Sequence, residues 1–149
     1  MEVPGKGEIM LTLTIKRKWL EMIRSGEKKE EYREIKSYYT VRFRNLMTYA
    51  PWKEEHTLAA IRAATDKGGI PIKVRLRGGY SLLSPAIQVS GTLVIGEGRP
   101  EWGAEPGKEY YIIRIEEFED LLTDWKSYAR KEDKPFQVID CRRTAGEGG

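Results

Sequence analysis

The chain has 149 residues, of which 40% are apolar and 33% charged, and this fits a single soluble domain. No stretch approaches the roughly 18 consecutive apolar residues of a membrane span, and the N-terminus carries no export pattern. We therefore expect a cytoplasmic protein without a membrane partner. The lone Cys141 and the lone His56 supply neither an internal disulfide nor a spaced zinc site, so we expect no metal and no cofactor.

The charges are distributed unevenly, although the net charge is only +3. Residues 16–44 contain ten basic and five acidic side chains, whereas residues 95–120 contain eight acidic and three basic ones. Such asymmetry suits a protein that attracts a polyanion to one face. Solvated charges of both signs explain many such runs equally well.

The first half of the chain predicts two strands and two helices. Residues 9–15 alternate apolar and polar side chains, as a half-buried strand does, and a short helix follows that ends at Gly26, where a left-handed cap is expected. Residues 29–35 predict a strand with charges on both faces. Residues 38–47 favour a helix that packs Tyr39, Phe43 and either Leu46 or Met47 inward, with a strand as the alternative.

The second half alternates between predicted helices and strands. Residues 54–66 predict a helix, and residues 72–77, 87–95 and 110–116 predict strands, the last two joined by a Gly/Pro-rich loop too long for an ordinary hairpin. A further helix is predicted from the spacing of Phe118, Leu121, Leu122, Trp125 and Tyr128, followed by a strand at 136–140. Five or six strands with interspersed helices indicate an α+β fold, a small mixed β-barrel with peripheral helices.

One segment carries a resemblance to a known family. Gly26, Lys28, Glu31 and Arg33 match all four fixed positions of the pattern GxKxxExR. With the opening LTLTIKRKWLEMIRSGEK and a later Trp-Gly loop, the chain resembles the ASCH domain, a PUA-like class associated with RNA, in a branch frequent in bacteria and their phages. The resemblance extends to about residue 117. We expect one ASCH domain over residues 9–141, a flexible N-terminus at 1–8 and a disordered tail at 142–149.

The motif residues predict a polar cleft near one mouth of the barrel. Lys28 lies in the turn after the helix that Gly26 ends, and Glu31 and Arg33 project to the same side of the next strand. Lys28 and Glu31 are the candidate catalytic residues. Together with Arg33 they either form a salt bridge that closes the barrel or orient a polar ligand.

Four further residues are candidates for ligand binding. Lys16 is similar to the lysine that follows the first strand in many ASCH sequences, and it either lies beside Lys28 or is simply exposed. Arg75 and Arg77 share one strand face, where they either bind phosphates or point into solvent. Trp102 either stacks on an unpaired base or fills the underlying core.

We therefore expect a protein that binds RNA or a nucleotide in a basic cleft. The resemblance leaves two enzymatic alternatives, a hydrolase acting on N4-acetylcytidine and a ribonuclease. The deacetylating branch has a threonine three residues after the motif lysine, and this chain has Glu31 there, although a lysine with a lowered pKa and a carboxylate still permit general-base chemistry. An interaction module of a regulatory assembly is the third alternative.

Overall fold

The computed structural model describes residues 11–47, 49, 51–81, 83–123 and 138–140 of the chain. The expected flexible N-terminus, the expected disordered tail, and Trp125 and Tyr128 of the last predicted helix lie outside the described residues. In chain order, the elements are β1 (Leu11–Thr14), α1 (Arg17–Arg24), β2 (Glu30–Glu34), α2 (Ser37–Arg44), α3 (Glu54–Thr65), β3 (Ile70–Arg77), β4 (Pro85–Glu97), a 3₁₀ turn (Pro100–Trp102), β5 (Glu109–Thr123) and β6 (Val138–Asp140).

The strands form one curled mixed sheet, so the α+β class is confirmed. The strand order is β1-β3-β4-β5-β2, and β6 pairs with β5 off this path. β1 runs parallel to β3, while the pairs β3–β4, β4–β5, β2–β5 and β5–β6 are antiparallel. The curled sheet forms a half-barrel, which bears out the barrel-like part of the prediction. Its two edges, β1 and β2, are joined in sequence by α1.

The concave face of the sheet and three helices enclose the main core. Val74, Leu76 and Val89 on the strands have no exposed surface, and neither have Leu20 and Ile23 of α1, Phe43 of α2 and Ile61 of α3. Tyr39, Leu46 and Met47 pack against the same core, as predicted for the helix over residues 38–47. Each helix therefore buries one apolar stripe against the sheet, which is the usual way such layers gain stability.

The predicted helix beginning at Phe118 is wrong over residues 118–123, because β5 continues to Thr123. The pairing of β4 with β5 shifts register between Ser90 and Gly91 and again between Ala86 and Ile87. Each shift inserts one extra residue into β5, so Ile115, Phe118 and Leu121 all turn inward although they are three residues apart. Two bulges thus reproduce the apolar spacing of a helix within a strand.

Candidate ligand-binding site

The turn between α1 and β2 buries the motif lysine. Gly26 has a φ of +88°, the left-handed conformation that glycine adopts most easily, and its N–H donates to the carbonyl of Ile23. The N–H of Lys28 donates to the carbonyl of Met22 at 2.9 Å. These bonds close the end of α1 and turn Lys28 inward, so that only 1% of it is exposed.

The Lys28 ammonium has three oxygen partners. It donates to the carbonyl of Glu30, to the carbonyl of Trp102 at 3.0 Å and to Oε1 of Glu31 at 3.2 Å. Its nitrogen also lies 4.9 Å from the centroid of the Tyr32 ring. An ammonium has three N–H donors, and all three are used here. While these bonds persist, Lys28 is a structural cation and has no lone pair to act as a base.

Glu31 and Arg33 complete the network and connect the two edges of the sheet. Oε2 of Glu31 accepts a hydrogen bond from Nη2 of Arg33 at 2.6 Å. The same Nη2 donates to the carbonyl of Thr14, the last residue of β1, at 2.9 Å. Because β1 and β2 are the two edges of the half-barrel, Arg33 bridges its open seam. The predicted convergence of Lys28, Glu31 and Arg33 is therefore present, and it takes the form of the barrel-closing salt bridge.

Burial sets the electrostatics of this network. Desolvation lowers the pKa of Lys28, and the neighbouring carboxylate of Glu31 opposes that shift. For Arg33, desolvation also favours the neutral form, but Glu31 and the Tyr39 hydroxyl outweigh it and leave the pKa raised. Glu31 thus compensates two buried cations at once, one on each carboxylate oxygen. Removing the charge of Glu31 would leave both cations without their counter-charge.

The loop between β4 and β5 folds back over the Lys28 turn. The hydroxyl of Tyr32 accepts a hydrogen bond from the N–H of Arg99 at 2.9 Å, and the hydroxyl of Tyr110 accepts one from the N–H of Glu105 at 3.0 Å. Gly103 has a φ of +105°, and a Cβ there would lie 3.1 Å from the Trp19 ring. The main chain at Trp102 and Gly103 is therefore fixed between the indole of Trp19 and the ammonium of Lys28.

Two half-buried indoles and several cations lie around this loop, and one of the indoles, Trp19, also packs against the main core. The Lys18 ammonium is 4.5 Å from the centroid of the Trp19 ring, and the Arg99 guanidinium is 4.9 Å from that of Trp102. Lys16 is exposed at the N-cap of α1. We call these five residues, Lys16, Lys18, Trp19, Arg99 and Trp102, the α1 surface. Its side chains offer flat aromatic faces and positive charge together.

The other predicted residues have different positions. Arg75 and Arg77 lie on the face of β3 opposite its buried residues, and Arg77 ends the strand next to the start of α1, where its carbonyl accepts the N–H of Ile15. Lys16 makes no described contact with Lys28, so the structure does not place the two side chains together. Within the described part of the chain, no cluster of His, Cys, Asp and Glu is arranged to hold a metal ion.

Sequence reasoning missed Trp19 and Arg99 as members of this surface. The apolar spacing of α1 predicts that Trp19 faces inward, and its half-buried ring does pack against the main core beside the fully buried Leu20 and Ile23, while part of the ring stays exposed. The sequence gives only a weak indication of Arg99, which is the cation three residues before the loop tryptophan.

No helix in the described ranges is long and apolar enough to cross a membrane.

The described residues thus define an α+β half-barrel whose open seam is closed by a buried charge network beside a basic, aromatic surface. No protein-family model matches the chain, no curated protein is similar to it at a significant level, and no solved structure matches it.

Proposed function

We propose that the protein binds RNA or a nucleotide at the α1 surface, with a base against the Trp102 indole and phosphate near the start of α1. The observation that carries the proposal is the pairing of partly exposed indoles with cations, Lys18 over Trp19 and Arg99 over Trp102. Unpaired bases bind by stacking on aromatic rings, and phosphates bind to Lys and Arg. Both kinds of group are present on this one surface.

The N-terminus of α1 supports the phosphate position. Lys16 is the N-cap, Arg17 and Lys18 are the first two helical residues, and the first turn has neither an acidic residue nor a side-chain cap. The first N–H groups of a helix point out of its end, and the helix dipole makes that end positive. The positive end of the dipole repels the cations of Lys16, Arg17 and Lys18. An anion bound there is attracted by the cations, the dipole and the N–H groups together.

The motif residues have a positioning role in this proposal. Glu31 binds both Lys28 and Arg33, and Lys28 also donates to the carbonyl of Trp102. They fix the loop that presents the Trp102 ring and do not need to contact phosphate themselves. The resemblance to the ASCH domain, which rests on these residues and Gly26 together with the opening segment and the Trp-Gly loop, supports RNA as the ligand class.

The role of the indole is tested with Trp102→Ala, which removes the ring but retains the carbonyl that Lys28 binds. Affinity for a single-stranded uridine oligonucleotide, measured by fluorescence anisotropy, should fall by about 5- to 150-fold, which corresponds to about 1 to 3 kcal/mol of stacking. The melting temperature should change little. A large fall in melting temperature with unchanged affinity below the transition would instead assign the ring to core packing.

The role of the helix N-terminus is tested with Lys16→Gln and the matched control Lys67→Gln. Both lysines are exposed, but Lys67 precedes β3 and so lies at the end of that strand opposite α1. Lys16→Gln should weaken binding and reduce the dependence of log affinity on log salt by about one unit. Equal effects of the two changes would remove the start of α1 from the site.

The contribution of the β3 face is tested separately. The double change Arg75→Glu and Arg77→Glu reverses two charges on one strand face, and it should weaken RNA binding if that face extends the positive surface. Unchanged affinity at low salt would confine the ligand to the α1 surface.

A further inference from the structure

Large aromatic side chains are exposed on and between α2 and α3. Tyr38 is 53% exposed, Tyr49 89% and Trp52 76%. They contrast with Tyr39 and Phe43 of the same region, which pack against the core. Single exposed aromatics are common on protein surfaces, but several in one short segment mark an interaction surface.

Cations accompany these rings. The Arg42 guanidinium lies 3.4 Å from the centroid of the Tyr38 ring, and the Lys53 ammonium lies 4.7 Å from that of Trp52. Nη1 of Arg44 donates to the carbonyl of Trp52 at 3.4 Å, which connects the end of α2 with the start of α3. At the other end of α2, Oγ of Ser37 donates to Oε2 of Glu54 at 2.7 Å, so both ends of α2 are joined to the start of α3.

The charge and the rings of the segment together favour one kind of partner. Residues 35–53 contain four basic side chains and no acidic one, and the first acids that follow are Glu54, which accepts a hydrogen bond from Ser37, and Glu55. The exposed rings are tyrosine and tryptophan, which have polar tips, whereas the aliphatic residues Leu46 and Met47 pack on the core. An acidic peptide does not require flat rings. Tyrosine and tryptophan beside cations also occur at membrane interfaces, and binding to anionic vesicles is the outcome that separates that surface from this one. Rings interleaved with cations suit unpaired bases joined by phosphates.

We infer that Tyr38, Arg42, Tyr49, Trp52 and Lys53, named here the α2–α3 surface, form a contact surface for single-stranded nucleic acid. The bases stack on the exposed rings, and the phosphates contact Arg42 and Lys53. None of these residues belongs to the α1 surface, so the inference goes beyond the proposed function. If both surfaces bind, the ligand is a strand rather than a free nucleotide.

The test uses the full chain, a single-stranded uridine oligonucleotide and uridine monophosphate. Trp52→Ala and Tyr38→Ala should each weaken oligonucleotide binding by about 5- to 150-fold. The control Tyr80→Ala removes a tyrosine that is 87% exposed in the connection between β3 and β4, and it should have no effect. Binding of the monophosphate should be unchanged in all three variants.

Charge variants give an independent measurement that does not depend on removing large side chains. Arg42→Gln and Lys53→Gln should each reduce the salt dependence of oligonucleotide binding by about one unit, and Lys67→Gln, at an exposed lysine beyond the end of α3, should not. The inference is overturned if the α2–α3 variants bind the oligonucleotide like the wild type, or if they lose binding to phosphatidylserine vesicles instead. Failure of Trp102→Ala alone would overturn the α1 surface and leave this one standing.

Discussion

The Lys28 network and the α2–α3 surface are built from the same kinds of residue but in opposite environments. Lys28 and Glu31 are almost completely buried, and every donor of the lysine has an oxygen partner. Trp52 and Tyr38 are largely exposed, and a cation lies over each of their rings. Basic and aromatic residues in this chain therefore stabilise the fold where they are enclosed, and where they are open they are free to meet the proposed ligand.

The largest expected effect comes from breaking the buried network. Glu31→Gln removes the charge that compensates both Lys28 and Arg33, and it should lower the free energy of unfolding by about 3 to 5 kcal/mol. Urea denaturation measures the change. The matched change Glu101→Gln affects an exposed pair with Arg99 at 3.4 Å and should stay within about 0.5 kcal/mol. Similar losses in both variants would contradict the distinction between the two environments.

A neutral hydrogen bond in the same interior should give a smaller loss. Thr40 and Tyr111 share a buried hydroxyl–hydroxyl hydrogen bond between α2 and β5. Thr40→Val leaves the Tyr111 hydroxyl without this partner, which should cost about 1 to 3 kcal/mol. Adding Tyr111→Phe removes the orphaned group, so the double variant should lose less than the sum of the single ones. Strict additivity in urea denaturation would show that the bond contributes nothing.

Alkaline pH should change the free energy of unfolding through two buried groups, Tyr111 and Lys28. Burial raises the pKa of Tyr111, so the unfolded chain releases this proton at about pH 10 and the folded chain only at higher pH. The stabilising contribution of Tyr111 is complete below pH 10 and is lost as the pH rises through the folded value. The lowered pKa of Lys28 acts in the opposite sense, because its contribution grows as the pH rises towards about 10.4.

Tyr111→Phe separates these two contributions. The free energy of unfolding of this variant should decline less above pH 10 than that of the wild type. The variant lacks the buried phenol that the unfolded chain ionises more readily than the folded chain does. Urea denaturation at a series of alkaline pH values measures the two slopes. Parallel profiles would mean that Tyr111 is not the group responsible.

The smallest expected effect on stability lies on the α2–α3 surface. Trp52→Ala deletes a large side chain, but most of that side chain is already in water. The free energy of unfolding should change by no more than about 0.5 kcal/mol, compared with about 3 to 5 kcal/mol for a buried aromatic. A loss of the larger size in thermal or urea denaturation would show that Trp52 packs on the fold.

The sequence was most informative where the structure depends on local spacing. Residue spacing within a single element predicts three features correctly. These are the cap at Gly26, the shared side of Glu31 and Arg33, and the inward face of α2. The carbonyl of Trp102, which Lys28 binds, lies 74 residues away, and no local pattern indicates that contact.

Other features that the sequence did not predict also depend on more than the spacing within one element. The bulges of β5 imitate a helical period, and only pairing with β4 reveals them. The α2–α3 surface was missed because apolar spacing identifies the buried side of a helix and says little about the exposed residues of a connecting loop. The proposed ligand is inferred from the side chains that are exposed, and apolar periodicity does not predict which polar or aromatic side chains these are.

The parallel pairing of β1 with β3 has a consequence for the order of folding. Leu11 pairs with Val74, and α1, β2, α2 and α3 all lie between them in the chain, whereas β4 and β5 are joined by a single loop. Pairing of distant segments incurs a greater loss of chain entropy, so the β4–β5 hairpin should form early and β1 should dock late. Arg33, which binds the carbonyl of Thr14, then fastens the last strand to arrive, and amide exchange at β1 should report each transient release of that strand.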